Sequence, residues 1–241
     1  MWNVKQTMKM PLMAVLCLGS ISGVQAAISL DRTRAVFDGS EKSMMLKVTN
    51  NNQQLPYLAQ AWLEDAKGEK ITAGPLMVTP PVQRVEPGAK TMVRIAALPD
   101  ISKLPQDRES LFYFNVREIP PKSEKANSLQ IALQTKIKLF YRPAAIKTGQ
   151  NAVWEDQLIL NQTTGGYRIE NPTPYFVTVV GLGGSKEQAG TSTVAVMLAP
   201  KSEQTVKSEQ YSTPWLAYVN DYGGRPVVAY QCSGSRCVAK K

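Results

Sequence analysis

From residue 28 onward, apolar and polar side chains alternate in short runs rich in Val, Ile, Thr, Tyr and Phe. Clusters of Gly, Pro, Asn and Asp separate the runs about every ten residues, which is the pattern of β-strands and turns. The runs at 28–37, 43–49, 57–64, 83–85, 91–96, 111–118 and 129–141 predict a first set of seven strands. No segment sustains the spacing of an amphipathic helix. Residues 142–149, Arg-Pro-Ala-Ala-Ile-Lys-Thr-Gly, break the pattern and read as a linker. A second set follows at 158–160, 167–171, 176–182, 194–198, 204–206, 217–220 and 227–232. Gly181-Leu-Gly-Gly184 lies within this set and reads as a hairpin turn, not as a phosphate loop opening a helix. The expected fold class is all-β, two immunoglobulin-like sandwiches divided at residues 27–145 and 146–241.

The run at 129–141 stands out. It is more than twice the usual strand length of about five or six residues. Leu129, Ile131 and Leu133 share one face, with Gln130, Ala132 and Gln134 on the other. Two readings follow. The row can face the sandwich core, which is the usual fate of an alternating strand and the one the residues alone favour. Alternatively it faces outward on a sheet edge and adds to an incoming strand.

The start of the chain changes the compartment. Lys5 and Lys9 precede a nearly apolar run of about a dozen residues, and Ser22-Gly-Val-Gln-Ala26 ends in small residues. This is the pattern of a secretory signal peptide over residues 1–26, cleaved after Ala26. The run falls short of the roughly 20 residues a bilayer span needs, so no membrane insertion is expected. Removing 26 of 241 residues leaves 215, enough for two domains of about 100 residues each. It also lowers the formal charge from +9 to +7 and takes away Cys17. Cys232 and Cys237 remain, and in an oxidising compartment they are expected to form a disulfide.

The sequence contains no histidine, which excludes Ser-His-Asp and Cys-His catalysis. Two cysteines without histidine do not make a structural zinc site. No catalytic residues, metal or cofactor are expected, and the chain does not read as an enzyme. Its basic residues are dispersed and not interleaved with aromatics, so no nucleic-acid partner is expected either.

Residues 104–121, Leu-Pro-Gln-Asp-Arg-Glu-Ser-Leu-Phe-Tyr-Phe-Asn-Val-Arg-Glu-Ile-Pro-Pro, resemble the signature of the periplasmic pilus chaperones. Similar to the same family are 29–39, Gln60-Ala-Trp62, 79–84, Glu86-Pro-Gly88, 135–143, Asn171-Pro-Thr-Pro174 and Asn220-Asp-Tyr-Gly-Gly224. The resemblance covers essentially the whole chain after the signal. It implies two immunoglobulin-like domains at an angle with a cleft between them. It further implies a periplasmic chaperone that completes pilus subunits, pilins and adhesin alike, by donor-strand complementation. The chaperone would then deliver them to an outer-membrane usher.

By that resemblance, Leu129, Ile131 and Leu133 fill the subunit's groove, and Arg34 and Lys138 grip its C-terminal carboxylate. A guanidinium fork and an ammonium suit that anion. Glu109, Arg142 and Asp221 match charges that link the two domains. Odd-numbered Leu129–Leu133 and even-numbered Lys138 point to opposite faces of a regular strand, unless a bulge intervenes. The short loop at 120–127 resembles chaperones of thick, rod-like pili. A free edge of this kind also leaves self-association open. The alternative is a secreted carbohydrate-binding or adhesive sandwich, for which Trp62, Trp154 and Trp215 are the candidate stacking residues.

Overall fold

The computed structural model describes residues 26–123, 127–149 and 151–240. Residues 1–25 of the expected export signal, and residues 124–126 of the loop at 120–127, lie outside them. The first domain contains β1 (Ile28–Leu30), β2 (Arg34–Asp38), β3 (Ser43–Asn50), β4 (Tyr57–Glu64), β5 (Leu76–Thr79), β6 (Val82–Val85), β7 (Lys90–Ala97), β8 (Ser110–Ile119) and β9 (Gln134–Arg142). One sheet has the order β1-β3-β7-β5 and the other β2-β9-β8-β4-β6. Alternate residues of both sheets turn inward. Leu46, Val48, Val93 and Ile95 from the first meet Phe112, Phe114, Ile137 and Leu139 from the second. Each such side chain contributes about 1.5–3 kcal/mol by leaving water.

Two predicted strands of this domain differ from those observed, and one observed strand lies outside the predicted set. The run at 28–37 is two strands in two sheets. Asp31 N–H donates to Lys47 O, the last tie to β3, and the chain then crosses to pair β2 with β9. Leu76–Thr79 forms an additional strand, short because Pro75 and Pro80 bound it. The long strand begins at Gln134, not at residue 129. Its alternation continues further back, but its ladder with β8 ends where Glu118 N–H donates to Leu133 O, just before Pro120.

The second domain contains β10 (Ile159–Thr163), β11 (Gly166–Asn171), β12 (Val177–Gly183), α1 (Lys186–Thr191), β13 (Val196–Leu198), β14 (Ser202–Lys207), β15 (Trp215–Val219), β16 (Val227–Ser233) and β17 (Arg236–Ala239). The strands are ordered β13-β12-β15-β16-β17-β10-β11-β14. This sheet doubles over one core, in which Leu160 and Ile169 from one half meet Val179, Leu216 and Tyr218 from the other. Gly181 and Gly183 lie inside β12, not in a hairpin turn. Helix α1 packs so closely on that strand that a Cβ at Gly181 would collide with Ala189 O, and one at Gly183 with Gln188. Ser185 caps α1 by accepting from Gln188 N–H at 3.3 Å. The helix is six residues long, too short to show a period in the sequence. β17 was also absent from the predicted set. It pairs with β16, and the Cys232–Cys237 disulfide joins the two strands. No helix among the described residues is long and apolar enough to cross a membrane.

Candidate functional site

β2 runs parallel to β9 but covers only part of it, from Arg34 opposite Lys138 to Asp38 opposite Arg142. Before Arg34 the chain has left for the other sheet. On that side, therefore, β9 pairs with no described strand N-terminal to Lys138. The first pair in the parallel lane is thus Arg34 with Lys138, at the point where the edge opens.

Both cations reach across to the second domain. Arg34 Nη1 donates to Val219 O at 2.9 Å, and Lys138 Nζ donates to Thr178 Oγ1 at 3.1 Å. Arg34 is buried, and its Nε is buried without a partner among the described residues. Burial pulls both groups down from their ordinary values, and for Lys138 the neighbouring Arg34 charge pulls further. None of the ion pairs among the described residues includes either side chain. Two half-desolvated cations side by side, one with a buried donor unpartnered among the described residues, offer uncompensated positive charge of the kind that charge-assisted hydrogen bonds to an anion require.

Leu129, Ile131 and Leu133 are 88%, 63% and 37% exposed. The pairing of β8 with β9 is regular from Ser110–Tyr141 to Arg117–Gln134, so no bulge lies between the row and Lys138. The odd positions therefore keep the phase of Ile137, Leu139 and Tyr141, which fill the core. Beyond Gln134 the sandwich has ended, and the same face has no core left to bury it. Lys138 lies on the other face, towards the second domain. Leu129 and Ile131 border a shallow groove with Leu55, Tyr57, Pro120 and Pro121.

At the other end of β9, Arg142 gathers the interdomain charges. Its Nε and Nη2 bind Glu109 Oε1 at 2.8 and 2.7 Å, and its Nη1 lies 2.9 Å from Asp221 Oδ2. The second Glu109 oxygen accepts from Phe176 N–H at 2.8 Å. The guanidinium sits 4.7 Å from the Trp154 ring centroid and 5.0 Å from that of Tyr175. Phe140 stacks on Phe176 with centroids 5.5 Å apart. The structure thus brings Glu109, Arg142 and Asp221 into one cluster across the domain boundary.

Sequence reasoning missed Thr178, the carbonyl of Val219 and the aromatic pair around Arg142. An ordinary threonine and a backbone oxygen carry no sequence signal. Trp154, a candidate sugar platform, is buried beneath Arg142. Lys70 and Arg117 both lie 5.8 Å from the Trp62 ring centroid, and Trp215 is half-buried. These tryptophans do not make an open stacking face.

Comparison with known proteins adds to this geometry. The family model described as "Pili and flagellar-assembly chaperone, PapD N-terminal domain" matches residues 27–147. That described as "Pili assembly chaperone PapD, C-terminal domain" matches residues 153–229. The chain is 71% identical to Chaperone protein PapD of Escherichia coli over 95% of its own length and 97% of that protein's. Among solved structures it is similar to the CupB2 chaperone of Pseudomonas aeruginosa, with 31% identity and a TM-score of 0.70 over 85% of this chain and all of that one. It is likewise similar to the periplasmic chaperone SfaE, with 31% identity and a TM-score of 0.67 over 84% of this chain and 98% of that one.

Proposed function

The chain belongs to the PapD family of pilus-assembly chaperones, and from its cleft and open edge we propose how it holds a subunit. The observation that carries the proposal is the uncompensated cation pair Arg34 and Lys138 at the point where the β9 edge becomes free. A subunit's last strand lies along β9 and its upstream extension, with its terminal carboxylate between the two cations. To end at Lys138 while lying beside residues 129–137, that strand must run in the direction of β9. It therefore occupies the lane of β2 and stops where Arg34 begins. The donated row Leu129, Ile131 and Leu133 fills the subunit's groove. Burying three such side chains contributes about 5–8 kcal/mol before ordering costs.

The carboxylate clamp sets the register, because a slip of one residue would turn the whole row away from the groove. Glu109, Arg142 and Asp221 hold the two domains so that Thr178 and Val219 orient the cations. The domains divide between 27–145 and 146–241. The chain works in the periplasm after cleavage following Ala26, and passes pilins and adhesin to an outer-membrane usher. Self-association of the free chain would use the same edge.

The test is binding of a synthetic peptide copying the C-terminal strand of a pilus subunit, as free acid and as amide. Wild type should bind the acid saturably. Arg34→Ala, Lys138→Ala and amidation should each cost about 2–5 kcal/mol. Tight binding indifferent to all three would remove the clamp and leave only strand addition. Failure of several peptides and of an intact subunit would overturn the reading.

A further inference from the structure

Glu118 alternates in phase with Phe112, Phe114 and Val116, so its carboxylate points inward at the open end of the first sandwich. It is 5% exposed. A carboxylate so placed ordinarily meets a cation or several donors. Here Ile28 N–H donates to Oε2 at 2.8 Å, and among the described residues no Lys or Arg pairs with it.

The nitrogen of Ala27 precedes that donor by one residue, at most about 3.7 Å along an extended backbone. Ala27 is buried, and its carbonyl accepts from Asn51 N–H at 2.6 Å. Ala26 O accepts from Asn51 Nδ2 at 3.4 Å. A small cavity here is lined by Ala27, Asn51, Tyr57, Glu118, Ile131 and Leu133 among others. The backbone where the signal is expected to end thus runs past an inward carboxylate that lacks a cation.

We propose that Glu118 is the acceptor for the α-ammonium created at Ala27 by cleavage after Ala26, an inference that rests on the export reading above. In that hydrolysis the bond between Ala26 C and Ala27 N breaks. Water gives its hydroxyl to the Ala26 acyl carbon and a proton to the Ala27 nitrogen, and the new Ala26 carboxylic acid then releases its proton to solvent while the neutral amine takes one up to become the ammonium. Before cleavage the nitrogen is a neutral, planar amide with one N–H. Afterwards it carries a full charge and three donors, and it is free to turn towards the carboxylate. The titratable groups facing it are Glu118 from β8 and Tyr57 from β4. Asn51 and Asn52 are neutral, and residues 131 and 133 are apolar. Processing therefore pins the start of β1 against β8, and with it one wall beside Ile131 and Leu133.

Intact mass of the chain recovered from the periplasm comes first. A start other than Ala27 overturns the proposal together with the cleavage site. For a chain beginning at Ala27, NMR titration of the selectively labelled residue reads the α-amino acidity. The expected acidity constant is at least tenfold below that of an ordinary amino terminus, whose pKa is about 7.7–8.0. It should return to the ordinary value in Glu118→Gln. A chain with one glycine added before Ala27 keeps Glu118 but moves the charge away, and its amine should titrate normally. This arm decides the matter if the Gln variant does not fold. An ordinary value in wild type, or a raised value that survives in either variant, overturns the ion pair while leaving subunit binding as a separate question.

Discussion

Arg34 and Lys138 oppose each other directly in the parallel pairing of β2 with β9, two cations on neighbouring strands with no carboxylate among the described residues paired to either. Like charges so placed cost roughly 0.2–1 kcal/mol. Lys138→Met keeps most of the stem and removes the repulsion. The free protein should be unchanged in stability, or more stable by up to about 1 kcal/mol, while affinity for a free-acid subunit peptide falls. Urea unfolding with and without peptide separates the two. A matching loss of stability in the free protein would show that Lys138 is structural.

The row Leu129, Ile131 and Leu133 makes the opposite demand of the same experiments. Leu129 and Ile131 are already largely in water. Ile131→Ser should therefore leave the free protein within about 0.5 kcal/mol of wild type. Binding of an intact subunit should weaken by about 1.5–3 kcal/mol, the worth of burying one such side chain. Unchanged subunit affinity would remove Ile131 from the interface.

Arg142 and Glu109 should respond unequally to substitution. Arg142→Ala strands Glu109 and Asp221 in a partly buried cluster and should destabilise the protein by about 3–5 kcal/mol. Glu109→Gln keeps the shape and removes the buried charge, so it should cost far less. Burial pushes Glu109 up to about 7, against the pull of Arg142 and the Phe176 N–H. The unfolded value is near 4.3. The folded chain thus binds the proton more tightly, and the cost of the charged carboxylate is present above pH 7 and relieved as the pH falls towards 4.3. Relative to Glu109→Gln, wild type should gain stability between pH 8 and pH 5.5. Thermal melts of the two across that range check it, and parallel curves would contradict it.

Cys237 is fully buried in the second core, and its bond to Cys232 closes a short loop between adjacent strands. A loop this small restrains the unfolded chain only modestly, by about 2 kcal/mol. Replacing both cysteines by Ser should cost at least that amount, since one hydroxyl enters the core. Hydrogen exchange should show the loss in β16, β17 and β10, with β3, β7 and β8 unaffected. Equal loosening of both domains would mean that they unfold as one unit.

The sequence pattern carried the all-β class, the two sets of strands and most strand positions, because alternation records which face is buried. It overran at residues 129–133, where alternation continues after the partner strand has ended. Pattern reports what a strand can do, and pairing decides what it does in the free chain. It missed the sheet switch between Leu30 and Arg34, which costs no change in composition. Arg34 and Lys138 were legible only through resemblance, since nothing local distinguishes them among 28 basic residues. Thr178 and the Val219 carbonyl were illegible for a simpler reason. Their contribution exists only after two domains have met.

That meeting imposes an order of events. The cation pair sits on strands of the first domain, yet its orienting acceptors come from the second. During synthesis the first domain emerges well before residue 219. A first domain folded alone would hold Arg34 and Lys138 with freely swinging heads beside an open edge. If the two cations hold the subunit as proposed, capture at full strength waits until the last part of the chain has been made and folded, which makes the second domain a check on the completeness of the chain.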